Sequence, residues 1–227
     1  MNARIHPAFC ILASAMIALL GQVTSYAASP DFGTTTPRGG QRGTEVKVTF
    51  TGNRLDDAQE VLFHQKGMSF KDLKVVDAKK VEATLVIAPD CRIGEHHIRL
   101  RCKSGTSYAR NFWVSPYPTV LEVEPNDSIE APQVITKNVT VEAKVKPEEI
   151  DYYKINAKKG ERISVEIEAL RINNIRQRVA MDPYVAIVNK DGFEIATSDD
   201  SALLKQESVI SVIAPEDGDY FVEVRDA

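Results

Sequence analysis

The fold class that this sequence predicts is all-β, with two β-sandwich domains in tandem after a signal peptide. Three observations carry it. Short period-two alternations of apolar and polar residues recur about every ten residues. Turns rich in Gly, Pro, Asp or Lys separate them. No segment of the mature chain has helical periodicity long enough to compete. Charge gives a further division: residues 28–118 hold 14 Lys+Arg against 10 Asp+Glu, while residues 119–227 hold 13 against 22. Two units with different surfaces follow from that split.

The first element is the leader. Residues 1–7 carry Arg4 and no acidic side chain, residues 8–20 (AFCILASAMIALL) are uninterruptedly apolar or small, and Ser25 and Ala27 put small residues at positions −3 and −1 of a cleavage site. That order is the signature of a secretory signal peptide over residues 1–27. Thirteen helical residues reach only about 20 Å, short of a bilayer core of roughly 30 Å, so a membrane anchor fits less well. Cys10 lies inside the apolar run, which does not indicate lipid attachment after cleavage. No later segment is apolar enough to span a membrane.

Residues 29–43 (SPDFGTTTPRGGQRG) read as a loop, being rich in Gly, Pro and Thr. Strands are expected at 44–50, 60–63, 73–76, 81–87, 96–101 and 110–114. The connector Ser115-Pro116-Tyr117-Pro118 is stiff, because each proline fixes its own φ and restricts its predecessor. It divides a domain at 28–118 from one at 119–227. The second half repeats the rhythm, with strands at 139–145, 152–155, 162–168, 184–188, 193–197, 209–213 and 220–224. Asn173 to Arg178 is expected to be an exposed loop. Because the chain stops after a strand, the last strand is expected to be an uncovered edge, as in a fold truncated at its C-terminus.

A composition of 43% hydrophobic and 26% charged residues excludes wholesale disorder, a collagen-like chain and a disulfide-dense miniprotein. The acidic second half argues against nucleic acid, whose phosphates need clustered Lys and Arg. Cations are the more natural ligand. After leader removal two cysteines remain, Cys91 and Cys102. Export permits a disulfide, yet an extended strand between them would hold their Cα atoms beyond bridging distance; both states stay open. His96 and His97 are adjacent on one strand and face opposite ways, and His64 is alone in the sequence. No HExxH, GxSxG or CxxC spacing occurs, and no catalytic residue is nominated.

The informative segment is 121–128, LEVEPNDS. Glu122, Glu124 and Asn126 alternate on one face of an extended stretch, and Asp127 follows where Pro125 bends it. Hard oxygen donors at this density suit Ca²⁺, which takes six to eight oxygens. Further ligands must come from elsewhere: Glu148, Glu149 and Asp151 come first, and Asp182, Asp199 and Asp200 are weaker candidates. A solvated acidic linker is the plainer reading of the same residues by composition alone.

The motifs EVEPNDS, DYYKINAKKGERISVEIEAL, DPYVAIVNKDG and APEDGDYFVEV resemble the pre-peptidase C-terminal (PPC) domain family, to which the collagen-binding domains of bacterial collagenases are similar. The resemblance runs from about Leu121 to the end. It implies a non-catalytic, jelly-roll-like sandwich appended to secreted peptidases and other exported proteins, with Ca²⁺ held by Glu122, Glu124, Asn126 and Asp127. It also implies that Asp151 is a ligand, and it nominates Glu148 as a further one. Residues 28–118 are similar, more weakly, to Ig-like folds of the IPT/TIG kind, through Pro37-Arg38-Gly39-Gly40, the strand 44–50 and IGEHHIRLRCKSGTS before Phe112-Trp113-Val114. Together these imply an exported Ca²⁺-binding module that presents, anchors or binds a polymer, with an extracellular protein or polysaccharide as partner. The alternative is the N-terminal accessory part of a secreted peptidase or other hydrolase, with downstream domains in a longer chain. A carbohydrate-binding module would need an exposed aromatic platform, for which Tyr152, Tyr153, Tyr184, Phe193 and Tyr220 are available.

Overall fold

Alternation of side chains along extended segments leaves only one face of each segment apolar, and two such faces must close on each other. The computed structural model describes residues 28–169, 181–202 and 207–227. The leader and the loop expected at 173–178 lie outside the described residues. Among the described residues there is no helix, and strands follow one another throughout.

The first sandwich is built from β1 (Asp31–Thr36), β2 (Gly39–Gln41), β3 (Glu45–Asn53), β4 (Ala58–Phe63), β5 (Met68–Asp77), β6 (Lys80–Ile87), β7 (Gly94–Cys102), β8 (Gly105–Thr106) and β9 (Arg110–Ser115). One sheet runs β1-β3-β6-β5 and the facing one β2-β9-β7-β4, with β8 hairpinned to β7. Strict alternation places Val81, Ala83, Leu85 and Ile87 of β6 inward against Ile98, Leu100, Phe112 and Val114 of the other sheet. Each fully buried side chain of this kind contributes roughly 1.5–3 kcal/mol. The stretch at 29–43 corrects the loop expectation. Phe32 and Thr35 are buried at 0% and 2% exposure, and β2 pairs in parallel with β9 from Gly39↔Trp113 to Gln41↔Ser115. Gly-Pro composition hid two short strands whose backbone groups are satisfied by sheet neighbours.

The second sandwich contains β10 (Thr119–Leu121), β11 (Gln133–Val134), β12 (Thr140–Glu142), β13 (Ile150–Ala157), β14 (Arg162–Glu166), β15 (Pro183–Asn189), β16 (Glu194–Ser198), β17 (Val209–Ile213) and β18 (Gly218–Asp226). Its main sheet runs β11-β13-β18-β15-β16, and the pairs β14-β17 and β10-β12 lie outside it. Tyr153, Val185, Ile187, Tyr220, Val222 and Val224 of the main sheet bury against Ile163 and Ile210 of the β14-β17 pair. Gly160 and Gly192 take φ of +84° and +81° in turns that their sequences announce.

The expected uncovered last strand is not found. β18 is central: it pairs antiparallel with β13 from Ile150↔Arg225 to Ala157↔Gly218, and on its other side with β15 from Pro183↔Asp226 to Asn189↔Tyr220. Chain order and sheet order differ, so the last strand in sequence closes the sheet from within. Among the described residues both cysteines are free thiols, buried apart: Cys91 lies before β7 and Cys102 at its end, where burial pushes the Cys102 thiol up to about 12.

The connector does not hang between the sandwiches. Ser115 Oγ and Thr140 Oγ1 are 2.7 Å apart, Thr140 N donates to Pro118 O, and Arg38 N donates to Glu142 Oε2 at 2.9 Å. β10 leaves this junction paired in parallel with β12 and runs directly into Glu122.

Candidate metal centre

Four carboxylates and one amide meet where the chain enters the second sandwich. Glu122 and Glu124 come from the stretch after β10, Asn126 from the bend beyond Pro125, Glu149 from the loop 143–149, and Asp151 from the start of β13. Backbone pairing sets the register: Glu122 N donates to Glu142 O, and Tyr152 N donates to Asn126 O at 2.8 Å. That second bond clamps the Asn126 backbone beside β13, one residue from Asp151.

The rim of the cluster is well served. Glu122 accepts from the Tyr153 hydroxyl at 2.6 Å and from Lys144 N at 2.9 Å. Lys146 Nζ bridges Glu124 Oε1 at 2.6 Å and Glu149 Oε1 at 2.7 Å, while Lys146 N donates to Glu149 Oε2. These bonds hold the Glu149 carboxyl below the usual carboxylate range and the Lys146 ammonium above the usual lysine range.

The floor is not. Asn126 and Asp151 are both 0% exposed, and none of their four side-chain polar atoms has a hydrogen-bond partner. The Asn126 amide lies near the Tyr153 hydroxyl, and Asp151 lies against Glu122, where a proton on Asp151 is favoured over two facing carboxylates. Burial first, then the charges of Glu122 and Glu149, pushes the Asp151 carboxyl up to about 7. A buried polar group without a partner costs about 1–3 kcal/mol, and more when charged. Three of those four atoms, Asn126 Oδ1 and the two Asp151 oxygens, are the hard donors that a cation such as Ca²⁺ takes.

Of the residues that the sequence nominates, the structure brings together Glu122, Glu124, Asn126, Glu149 and Asp151. It places Asp127 and Glu148 nearby, exposed along an open cleft of about 570 Å³ that Glu149, Lys146 and Tyr152 also line. Glu148 sits at φ +63°, and this left-handed turn leaves Glu149 to join the cluster. Among the described residues no three His, Cys, Asp or Glu side chains already surround one point as ligands; Glu124 and Glu149 converge on the Lys146 ammonium instead. Asp182 and Asp199 lie elsewhere in the second sandwich, where Asp182 N donates to Asp226 Oδ1 at 2.7 Å and Asp199 Oδ1 accepts from Asp200 N at 2.9 Å. Sequence reasoning missed Lys146, whose partners are three and 22 residues away.

Two further placements bear on the alternatives. His64 is not alone: its N–H donates to His97 O, and the two rings meet edge to face with centroids 6.1 Å apart on the outer face of β4 and β7. Tyr153 and Tyr220 belong to the core, Tyr152 and Tyr184 flank a small apolar cluster on the outer sheet face, and Phe193 is exposed.

Fold and cluster together define a β-sandwich module with a polar centre at its entrance. Residues 149–226 match the family described as the bacterial pre-peptidase C-terminal domain. The match opens at Glu149 and includes Asp151, while Glu122 to Asp127 precede it. Among solved structures the chain is similar to the adhesin InvE of Yersinia pseudotuberculosis (14% identity, 87% of this chain and 51% of that one, TM-score 0.30). It is also similar to SGBP-B of the mixed-linkage glucan utilization locus of Bacteroides ovatus, solved with a mixed-linkage heptasaccharide (8%, 87% and 53%, TM-score 0.31). A third is Lac15 from a marine microbial metagenome (14%, 83% and 50%, TM-score 0.22). The chain spans about half the length of these structures. No curated protein matches the chain. Among the described residues no helix is long and apolar enough to cross a membrane.

Proposed function

We propose that this chain is an exported, non-catalytic presentation or polymer-binding protein whose second sandwich is organised by Ca²⁺. The observation that carries the reading is the unpaired, fully buried pair Asn126 and Asp151 beneath Glu122, Glu124 and Glu149. Those five side chains would hold the ion, with Asp127 and Glu148 adjacent on the open cleft. When bound, the ion supplies positive charge and oxygen coordination to a floor that the protein leaves unpaired. The first sandwich, as an Ig-like spacer, projects from a junction one strand away. The partner is an extracellular protein or polysaccharide. Residues 1–27 direct export.

A second reading is favoured by the matched family's description: the same module as the accessory part of a secreted peptidase or other hydrolase. The parent gene's full reading frame discriminates the two, because a downstream catalytic domain belongs only to the second.

The test of the Ca²⁺ site is thermal unfolding of the mature chain in EDTA and in 10 mM Ca²⁺. At an extracellular-type affinity of about 10⁻⁴–10⁻³ M, stabilisation is roughly 1.4–2.7 kcal/mol. Glu124→Ala with Asp127→Ala is expected to remove the response while leaving the first sandwich folded. An unchanged melting temperature in the wild-type chain sinks the reading.

A further inference from the structure

The ammonium of Lys146 occupies the mouth of the cluster, 2.6 Å from Glu124 Oε1 and 2.7 Å from Glu149 Oε1. Its backbone is tied down as well, by Lys146 N to Glu149 Oε2 and by Glu149 N to Lys146 O. Yet the ammonium reaches only the rim, for Asn126 and Asp151 below it have no hydrogen-bond partner. We propose that Lys146 is a tethered counter-ion: it holds Glu124 and Glu149 while no divalent cation is bound, and it is expelled when one binds, so that it sets the affinity of the site. This inference rests on the Ca²⁺ reading above.

The physical argument is one of shared ligands and like charges. An ion that draws six to eight oxygens and uses the floor also needs the rim, where one oxygen each of Glu124 and Glu149 is already committed to the ammonium. A divalent cation beside a retained ammonium is a like-charge contact at short range. Four carboxylates with the ammonium leave a formal −3; exchange for a divalent ion leaves −2, so exchange improves neutralisation of the buried charges. Departure is easy for this side chain. It is 63% exposed on a flexible four-carbon stem, and it trades for water one ion pair to a half-exposed carboxylate, Glu124, and one to Glu149 at 14% exposure. Arrival of the ion and departure of the lysine are then one event, and the Lys146 amine reports it.

The experiment uses the full mature chain. Calorimetric Ca²⁺ titrations are run on wild type, Lys146→Met and Lys146→Arg, with circular dichroism confirming that each is folded. Removal of the two ion pairs that Lys146 makes predicts about five-fold tighter binding for Lys146→Met, and Lys146→Arg, which keeps the charge, stays within about two-fold of wild type. In parallel, amine labelling of the wild type read by peptide mass spectrometry is expected to rise at Lys146 when Ca²⁺ replaces EDTA. Ca²⁺ binding with equal affinity in wild type and Lys146→Met, or with unchanged Lys146 labelling, overturns the counter-ion role and leaves the Ca²⁺ site standing. No binding in wild type or in Lys146→Met overturns both.

Discussion

Asp151→Asn isolates the charge at the floor of the site. The Asp151 carboxyl rises from 3.8 to about 7 on folding, through burial and the neighbouring carboxylates. At about 1.36 kcal/mol per unit, that is roughly 4 kcal/mol between the two protonation states. The sign follows from linkage. A carboxyl raised in the folded state binds its proton more tightly there, so its stabilising contribution is complete below pH 4 and is lost as pH rises through about 7. The contribution of Asp151 itself to the cation-free protein is therefore least favourable near pH 8. Asn keeps the shape and carries no charge, so Asp151→Asn should stabilise the cation-free protein at pH 8 by as much as about 4 kcal/mol, and by far less at pH 4. One kcal/mol moves the melting temperature of a domain this size by about 4–8 °C, so even a quarter of the effect is readable. The assay is urea unfolding of wild type and variant in EDTA at pH 4, 6 and 8, repeated with 10 mM Ca²⁺ at pH 8. The difference between the two proteins, followed with pH, removes the titration of every other group. In 10 mM Ca²⁺ the difference should narrow by roughly 1.4–2.7 kcal/mol, because the variant has lost a ligand charge. A variant less stable than wild type in EDTA at pH 8, or a difference that does not change with pH, refutes the uncompensated buried charge.

Four other outcomes follow from the fold. Val222→Ala, in the middle of β18 and 6% exposed, is expected to cost about 1–3 kcal/mol, whereas Ile213→Ala at 48% exposure costs less than 1; equal costs in chemical denaturation would contradict the placement of β18. Hydrogen exchange should find the β18 amides among the slowest of the second sandwich, since both edges are paired. Mass analysis after alkylation in denaturant should count two reactive thiols on the mature chain, and none in the native state within the same labelling time; a mass lower by two hydrogens would mean a disulfide. Small-angle scattering should give the same maximum dimension in EDTA and in Ca²⁺, because Ser115–Thr140 and Arg38–Glu142 already tie the junction; a smaller dimension only with Ca²⁺ would mean that the ion, not these bonds, docks the connector.

Much of the architecture was legible because it is local. Period-two alternation in VEATLVI or YYKINA needs no knowledge of the partner strand, and Lys-Lys-Gly and Lys-Asp-Gly dictate turns by their own backbone preferences. Glu122, Glu124 and Asn126 were visible for the same reason, since i, i+2 and i+4 share a face. Pairing between distant segments decided the rest. β18 is central only because β13 and β15 close on it from either side, so an ending that reads as an exposed edge is the middle of a sheet. His64 meets His97 because β4 pairs with β7. Whether Glu148 or Glu149 turns toward Asp151 depends on a left-handed residue at 148, and a one-residue shift in an extended chain reverses the face a side chain presents. Lys146 lay beyond any pattern in the sequence, because a lysine in a Lys- and Glu-rich loop gains its meaning from the two carboxylates that folding sets around it. Local chemistry, then, determined the strands, the turns and the acidic segment; only the tertiary structure decided which acids lose their water together, and it is that shared loss that turns a run of carboxylates into a site.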